Sequence, residues 1–187
     1  MDGRKERGAL RRNALMSAAT DLAAQKGVSA VTHRAVALSS SVSLASVTYH
    51  YPTIAALRDA MFEWIGDQVI SVMENAVRHG DEEHRSPEGT AGALAYELCQ
   101  NHRELVLMLL QLLIAAQSDP QLRPVSERLN NRAEAIVEAA VGTASAPAVV
   151  AAMQGVMLRA LSREDGQAEW ARETVHTLIR RYTHPEP

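Results

Sequence analysis

The twenty residues from Thr32 to Tyr51, THRAVALSSSVSLASVTYHY, restrict the fold more than any other part of the chain, because they suit two short helices joined by a tight turn. Thr32 is a good N-cap, and Val31, Ala35, Val36 and Leu38 give the helix after it an inward side, with His33 and Arg34 at its exposed start. Ser39, Ser40 and Ser41 break that helix. Ser43 caps a second one, Leu44 to about Tyr51, in which Val47 and Tyr51 lie four residues apart and face the core together. Ala45, Ser46, Thr48, Tyr49 and His50 are left outside. Such small and hydrogen-bonding side chains suit a helix lying in the major groove of DNA, where short residues allow close approach and hydroxyl, phenol and imidazole groups reach phosphates or base edges. The pattern is that of a helix-turn-helix.

A net charge of -3 over 187 residues suits a DNA binder only once it is divided along the chain. Residues 1–51 carry seven basic side chains (Arg4, Lys5, Arg7, Arg11, Arg12, Lys26 and Arg34) against Asp2, Glu6 and Asp21, a net of +4, and the remainder holds -7. The field favourable to phosphate therefore lies on the N-terminal segment. Its basic arm, Arg4 to Arg12, is expected to contact phosphate. With hydrophobic residues at 47% there is ample material for a core. The single cysteine, Cys99, excludes an intramolecular disulfide and, with no signal peptide in view, points to the cytoplasm. The apolar run Leu105 to Ala116 is interrupted by Gln111 and falls short of the roughly 20 residues a membrane span needs, so no membrane partner is expected.

The rest of the chain reads as helix after helix. The first helix, about Arg4 to Lys26, has Leu15, Ala18, Ala19 and Leu22 on one side and Gly27 at its end. The fourth, Ile54 to about His79, carries Leu57, Met61, Trp64, Ile65, Val69, Val72 and Ala76 on a broad apolar side. The segment His79 to Pro87 reads as a polar loop. Further helices are expected at about Glu88 to Asn101, Arg103 to Gln117, Pro120 to Val141, Pro147 to Arg163 and Gln167 to Tyr182. The last two carry more apolar surface than one partner layer covers, and pairing them with a second copy would give a four-helix bundle.

The residues Thr32, Tyr49-His50-Tyr51 and Pro52-Thr53, followed by the long helix from Ile54, resemble the TetR-like (tetracycline-repressor-like) transcriptional regulators. The specific likeness covers roughly the first third of the chain, and the rest agrees in length and helical character. Two positions depart from the pattern. Ser41 stands where the family usually has Gly, which costs about 1 kcal/mol if the left-handed turn is kept. Ile54 stands where the family often has a phosphate-contacting Lys.

The resemblance implies an all-α protein, with a three-helix DNA-binding domain over residues 1–51 and a ligand-binding and dimerisation domain over residues 52–187. It implies a homodimeric repressor that binds a palindromic operator and is released by a small apolar or amphipathic effector, with no cofactor. DNA contact is expected from Thr32, His33, Arg34, Ser43, Ala45, Ser46, Thr48, Tyr49 and His50. Met61, Trp64, Met73, Tyr96, Met108, Gln111, Met153 and Met157 would supply the effector pocket with flexible apolar walls and a few polar anchors, or else simply pack the core. The dimer interface is expected on Val149, Met153, Val156, Trp170, Thr174, Leu178 and Tyr182.

Other chemistry finds little support. His79 and His84 flank three acidic residues without a regular metal-ligand spacing, and no catalytic triad or Gly-rich phosphate loop is visible, so no metal site and no enzyme is expected. The rival readings are a helical enzyme with an accidental motif, and a DNA-binding regulator with no small-molecule ligand or under the control of a protein partner.

Overall fold

The computed structural model describes residues 3–163 and 167–184, with side chains from Gly8 onward, Ala9 excepted. Among these residues the architecture is all-α: α1 (Gly3–Lys26), α2 (His33–Ser39), α3 (Leu44–His50), α4 (Ile54–Glu82), α5 (Pro87–Asn101), α6 (Arg103–Ser118), α7 (Arg123–Val141), α8 (Ala146–Leu161) and α9 (Gln167–Thr183). Short 3-10 turns at Val28–Ala30 and Pro120–Leu122 complete the order. The second takes the first turn from the helix expected to start at Pro120, because Asp119 Oδ1 accepts the Gln121 N–H at 3.0 Å and holds the chain in the tighter winding. Among the described residues no single helix is long and apolar enough to cross a membrane.

The chain forms two compact units, Met1–Ile65 and Gly66–Pro187. The division falls inside α4 rather than after residue 51, and leaves the fully buried Leu57, Met61, Phe62 and Ile65 in the first unit. Leu15, Met16, Ala19 and Ala23 of α1 join them with Val31, Val36 and Val47, making the core that braces α2 and α3. The end of α1 depends on Gly27, whose φ of 82° and ψ of 161° are open to glycine almost alone. Its N–H donates to Ala23 O at 2.8 Å.

In the second unit α5 lies along α9, with α8 packed against α6, α7 and α9. Gly92 sets the approach of α5 to α9: a Cβ there would stand 3.1 Å from the Arg172 carbonyl oxygen and 3.3 Å from His176 Cβ.

Leu38 and the end of α4 also depart from the sequence reading. Leu38, expected inward, is 84% exposed, because α2 turns Val36 and Ala37 to the core and the next position is carried away by the helical winding. The helix expected to stop near His79 runs on to Glu82. It ends through His84 at φ 54°, with the Arg85 N–H donating back to Gly80 O at 2.9 Å. This is a left-handed cap of the Schellman type.

Candidate DNA-binding face and effector cavities

In the first unit two caps shape the reading elements. The Thr32 hydroxyl oxygen accepts from the Ala35 N–H and the Ser43 hydroxyl oxygen from the Ser46 N–H, each at 3.2 Å. Between the helices Ser41 holds φ 56°, and the Val42 N–H donates to Ala37 O at 3.1 Å, so the turn keeps its left-handed geometry without glycine. Arg34, Ala45, Thr48, Tyr49 and His50 are exposed, Tyr49 by 82%, while Ser46 is half-buried. The Thr48 hydroxyl donates to Leu44 O at 3.0 Å, on a side chain that stays exposed. The Tyr49 and His50 rings meet edge-on, 5.4 Å apart.

His33 has a different place from the one expected. Its Nε2–H donates to Tyr51 O at 2.6 Å, tying the start of α2 to the end of α3. A carbonyl only accepts, so that nitrogen carries the proton. Tyr51 lies half-buried; burial raises its phenol pKa, and the nearby Arg12 charge offsets part of the rise. Arg11 and Arg12 are exposed, whereas the Arg4, Lys5 and Arg7 side chains of the expected basic arm lie outside the described residues.

Three cavities that share wall residues lie among the described residues of the second unit. One, of about 60 Å³, is walled almost entirely by apolar groups from α4 to α8, among them Met73, Leu98, Leu129, Met153 and Met157. Its polar lining is the pair Asn130 and Gln154, joined by a 2.9 Å bond from Gln154 Nε2 to Asn130 Oδ1. A second, of about 200 Å³, shares Met73, Leu94 and Met153 with it and reaches Asp81, Arg85 and Thr90. A third, of about 470 Å³, is the most polar of them, with Asn75, His79, Arg85, Glu97 and His102 beside Val72, Ala76, Ala93 and Leu94 in its lining.

Of the residues expected at an effector site, Met73, Met153 and Met157 therefore come together on a cavity wall. Met61 and Trp64 belong to the first unit. Met108 is core, and Tyr96 is half-buried with the Arg172 guanidinium 4.4 Å from its ring centroid. Gln111 lines none of the three cavities, and its buried Oε1 accepts no hydrogen bond. Asn130 and Gln154 had no signature in the sequence, since they lie on different helices and their pairing is tertiary. Cys99 packs with its Sγ 3.6 Å from Met157 Sδ, and burial pushes its thiol pKa up against a smaller pull from Arg103.

The outer face of α8 also differs from expectation. Val149 is fully buried and Met153 only 9% exposed, so both point into their own core rather than toward a partner. Ala148, Ala151 and Gly155 are exposed instead, with Leu158 at 55%. Val156, Trp170, Thr174 and Leu178 are half-buried, and Tyr182 is 41% exposed. The Trp170 ring is flanked by Arg159 and Arg163, 5.8 Å and 5.2 Å from its centroid.

Residues 15–61 match the sequence profile of the bacterial regulatory proteins of the tetR family, and residues 85–183 that of the tetracyclin repressor-like C-terminal domain. Among solved structures, the multidrug binding protein EbrR complexed with imidazole is 28% identical, over 95% of this chain and 96% of that one, with a TM-score of 0.76. The same protein complexed with ethidium matches 90% of this chain and 98% of its own at 28% identity and a TM-score of 0.73. A TetR-family member from Streptomyces coelicolor A3 is 29% identical over 90% of this chain and 97% of its own, with a TM-score of 0.78. No curated protein sequence matches the chain.

Proposed function

This chain belongs to the TetR family of bacterial regulatory proteins, and from that premise we propose that it is a homodimeric repressor released from a palindromic operator by a small apolar or amphipathic effector. Membership makes it a DNA-binding regulator, not an enzyme. The observation that carries the effector reading is the pair of apolar-walled cavities around Met73, Leu94 and Met153 in the second unit. A multidrug binding protein among the similar structures supports it.

Arg34, Ala45, Thr48, Tyr49 and His50 form the reading surface. Thr48 and Ala45 face base edges, Tyr49 and His50 the phosphates near the end of α3, and Thr32 and Ser43 act as caps that hold the two helices ready. The exposed sides of α8 and α9 pair with a second copy, which positions two such surfaces on half-sites about 34 Å apart. The walls of the cavities include flexible methionines, so a ligand enlarges the space by moving side chains and favours one position of α4 over another. Because α4 continues from Gly66 back to Ile54, that shift has a covalent path to the reading unit. The ligand need discriminate between the two states only by their free-energy gap, a few kcal/mol.

The test is binding to DNA from upstream of its own gene, followed by a screen for small molecules that release it. Replacing Tyr49 by Phe and His50 by Ala together should weaken binding about equally on different sequences. Wild-type affinity in that double variant at roughly physiological salt would remove α3 from the interface. A chain that binds operator but is released by no small molecule would be regulated by a protein partner or without a ligand.

A further inference from the structure

The three cavities of the second unit are neighbours with common walls, and the order of their chemistry is informative. Met73, Leu94 and Met153 line both the apolar cavity and the intermediate one; Leu94 and Arg85 line both the intermediate and the polar one. Polarity thus rises in one direction, from a lining of methionine, leucine and valine to one holding histidine, glutamate and asparagine. Arg85 is the only permanently cationic side chain in the linings. Its ion pair is with Glu83, two residues away on the surface, and both side chains are about half exposed, so the pair is weak and exchangeable. Glu97, the carboxylate of the polar cavity, is already engaged: Asn101 Nδ2 donates to its Oε2 at 2.8 Å and His102 Nε2 stands 3.5 Å from its Oε1. Asp81 is the one other acid in the linings.

Resting on the effector reading above, we infer that the effector is an amphipathic carboxylate, its apolar body among Met73, Leu94 and Met153 and its carboxylate paired with Arg85. A guanidinium offers a carboxylate two parallel N–H bonds, which a fatty alcohol of the same length does not exploit. Arg85 also sits directly after the left-handed cap that ends α4, its own N–H bonded to Gly80 O. A head group held there pulls on the end of the helix that leads to the reading unit.

The experiment compares sodium decanoate, decanol and decyltrimethylammonium, below their micelle concentrations, by calorimetric titration of the full-length dimer, with ethidium as a further probe. Decanoate should bind at least about tenfold tighter than decanol, and in Arg85→Gln that ratio should fall to about one. Arg85→Lys, which keeps the charge but not the paired N–H groups, should restore part of it. Equal binding of decanoate and decanol to the wild type, an unchanged ratio in Arg85→Gln, or tightest binding of decyltrimethylammonium would overturn the inference. Asp81 would then be the anchor in the last case. Binding of ethidium or decanol without preference for decanoate sinks only the head-group assignment; failure of all four probes sinks it together with the effector reading.

Discussion

Ser41 holds a backbone conformation that glycine adopts at no steric cost and most residues avoid. Its φ of 56° is imposed by the turn between α2 and α3, where the Val42 N–H must reach Ala37 O. Relief of that strain predicts that Ser41→Gly raises stability by about 1 kcal/mol in urea unfolding, less whatever the more flexible unfolded chain takes back. A loss of stability would mean that the serine side chain contributes something the turn geometry does not reveal. Gln111 is the opposite case, a side chain whose buried oxygen has no partner. Gln111→Leu removes an unsatisfied acceptor at nearly constant volume and should stabilise the protein by about 1 kcal/mol. If unfolding measurements instead show the variant weakened, that amide has a partner in solution. His33 shows how far a residue's role depends on neighbours distant in sequence: its imidazole reads as a DNA contact in isolation and proves to be a bolt to Tyr51 O.

At the level of elements, α5 is fixed at its first turn. Ser86 caps it, Pro87 opens it, and Glu88 is buried where a carboxylate is ordinarily exposed. Its pKa is lowered first by its own backbone N–H, against the opposing cost of burial, with further help from the Ser86 hydroxyl and from His184 and His176 on and after α9. His184 Nε2 stands 3.8 Å from Glu88 Oε1, so the carboxylate ties the start of α5 to the end of α9. A carboxylate whose pKa is lowered by folding stabilises the fold above its unfolded value, about 4.3, and loses that contribution as the pH falls through the folded one. Glu88→Gln should therefore be less stable than the wild type at pH 7. The gap should narrow as the pH is taken below about 4, as read by denaturant unfolding across that range. A gap independent of pH would assign the effect to packing.

For the whole molecule the question is which surface meets a second copy. Leu158 is an exposed leucine beside Ala151 and Gly155, so a charge there disturbs little within the chain and much at a helix–helix contact. Leu158→Glu should keep the helical content and sediment as a monomer, with operator affinity reduced by at least about tenfold because one half-site alone is held. A dimer that survives the substitution would place the contact elsewhere. Leu178, half-buried under its own chain, is the poorer probe, since a charge there also damages the fold.

The helix-turn-helix was legible in the sequence because its signals are local. Thr32 and Ser43 cap the helices they precede, Val36 and Val47 point inward, and each of these facts is decided within four residues. Helix number and order followed from periodicity in the same way. Where α4 stops did not, because the cap falls on His84 rather than on a glycine and the acidic residues before it resemble a loop. Leu38 and Val149 were misjudged for a related reason: on short or uniformly apolar helices, hydrophobicity does not tell which side is covered. The Asn130–Gln154 pair, the His33 bolt and the placing of Arg85 across two cavities belong to the tertiary structure alone. Each joins side chains from separate elements, and periodicity along one helix carries no information about which residue of another helix arrives opposite it.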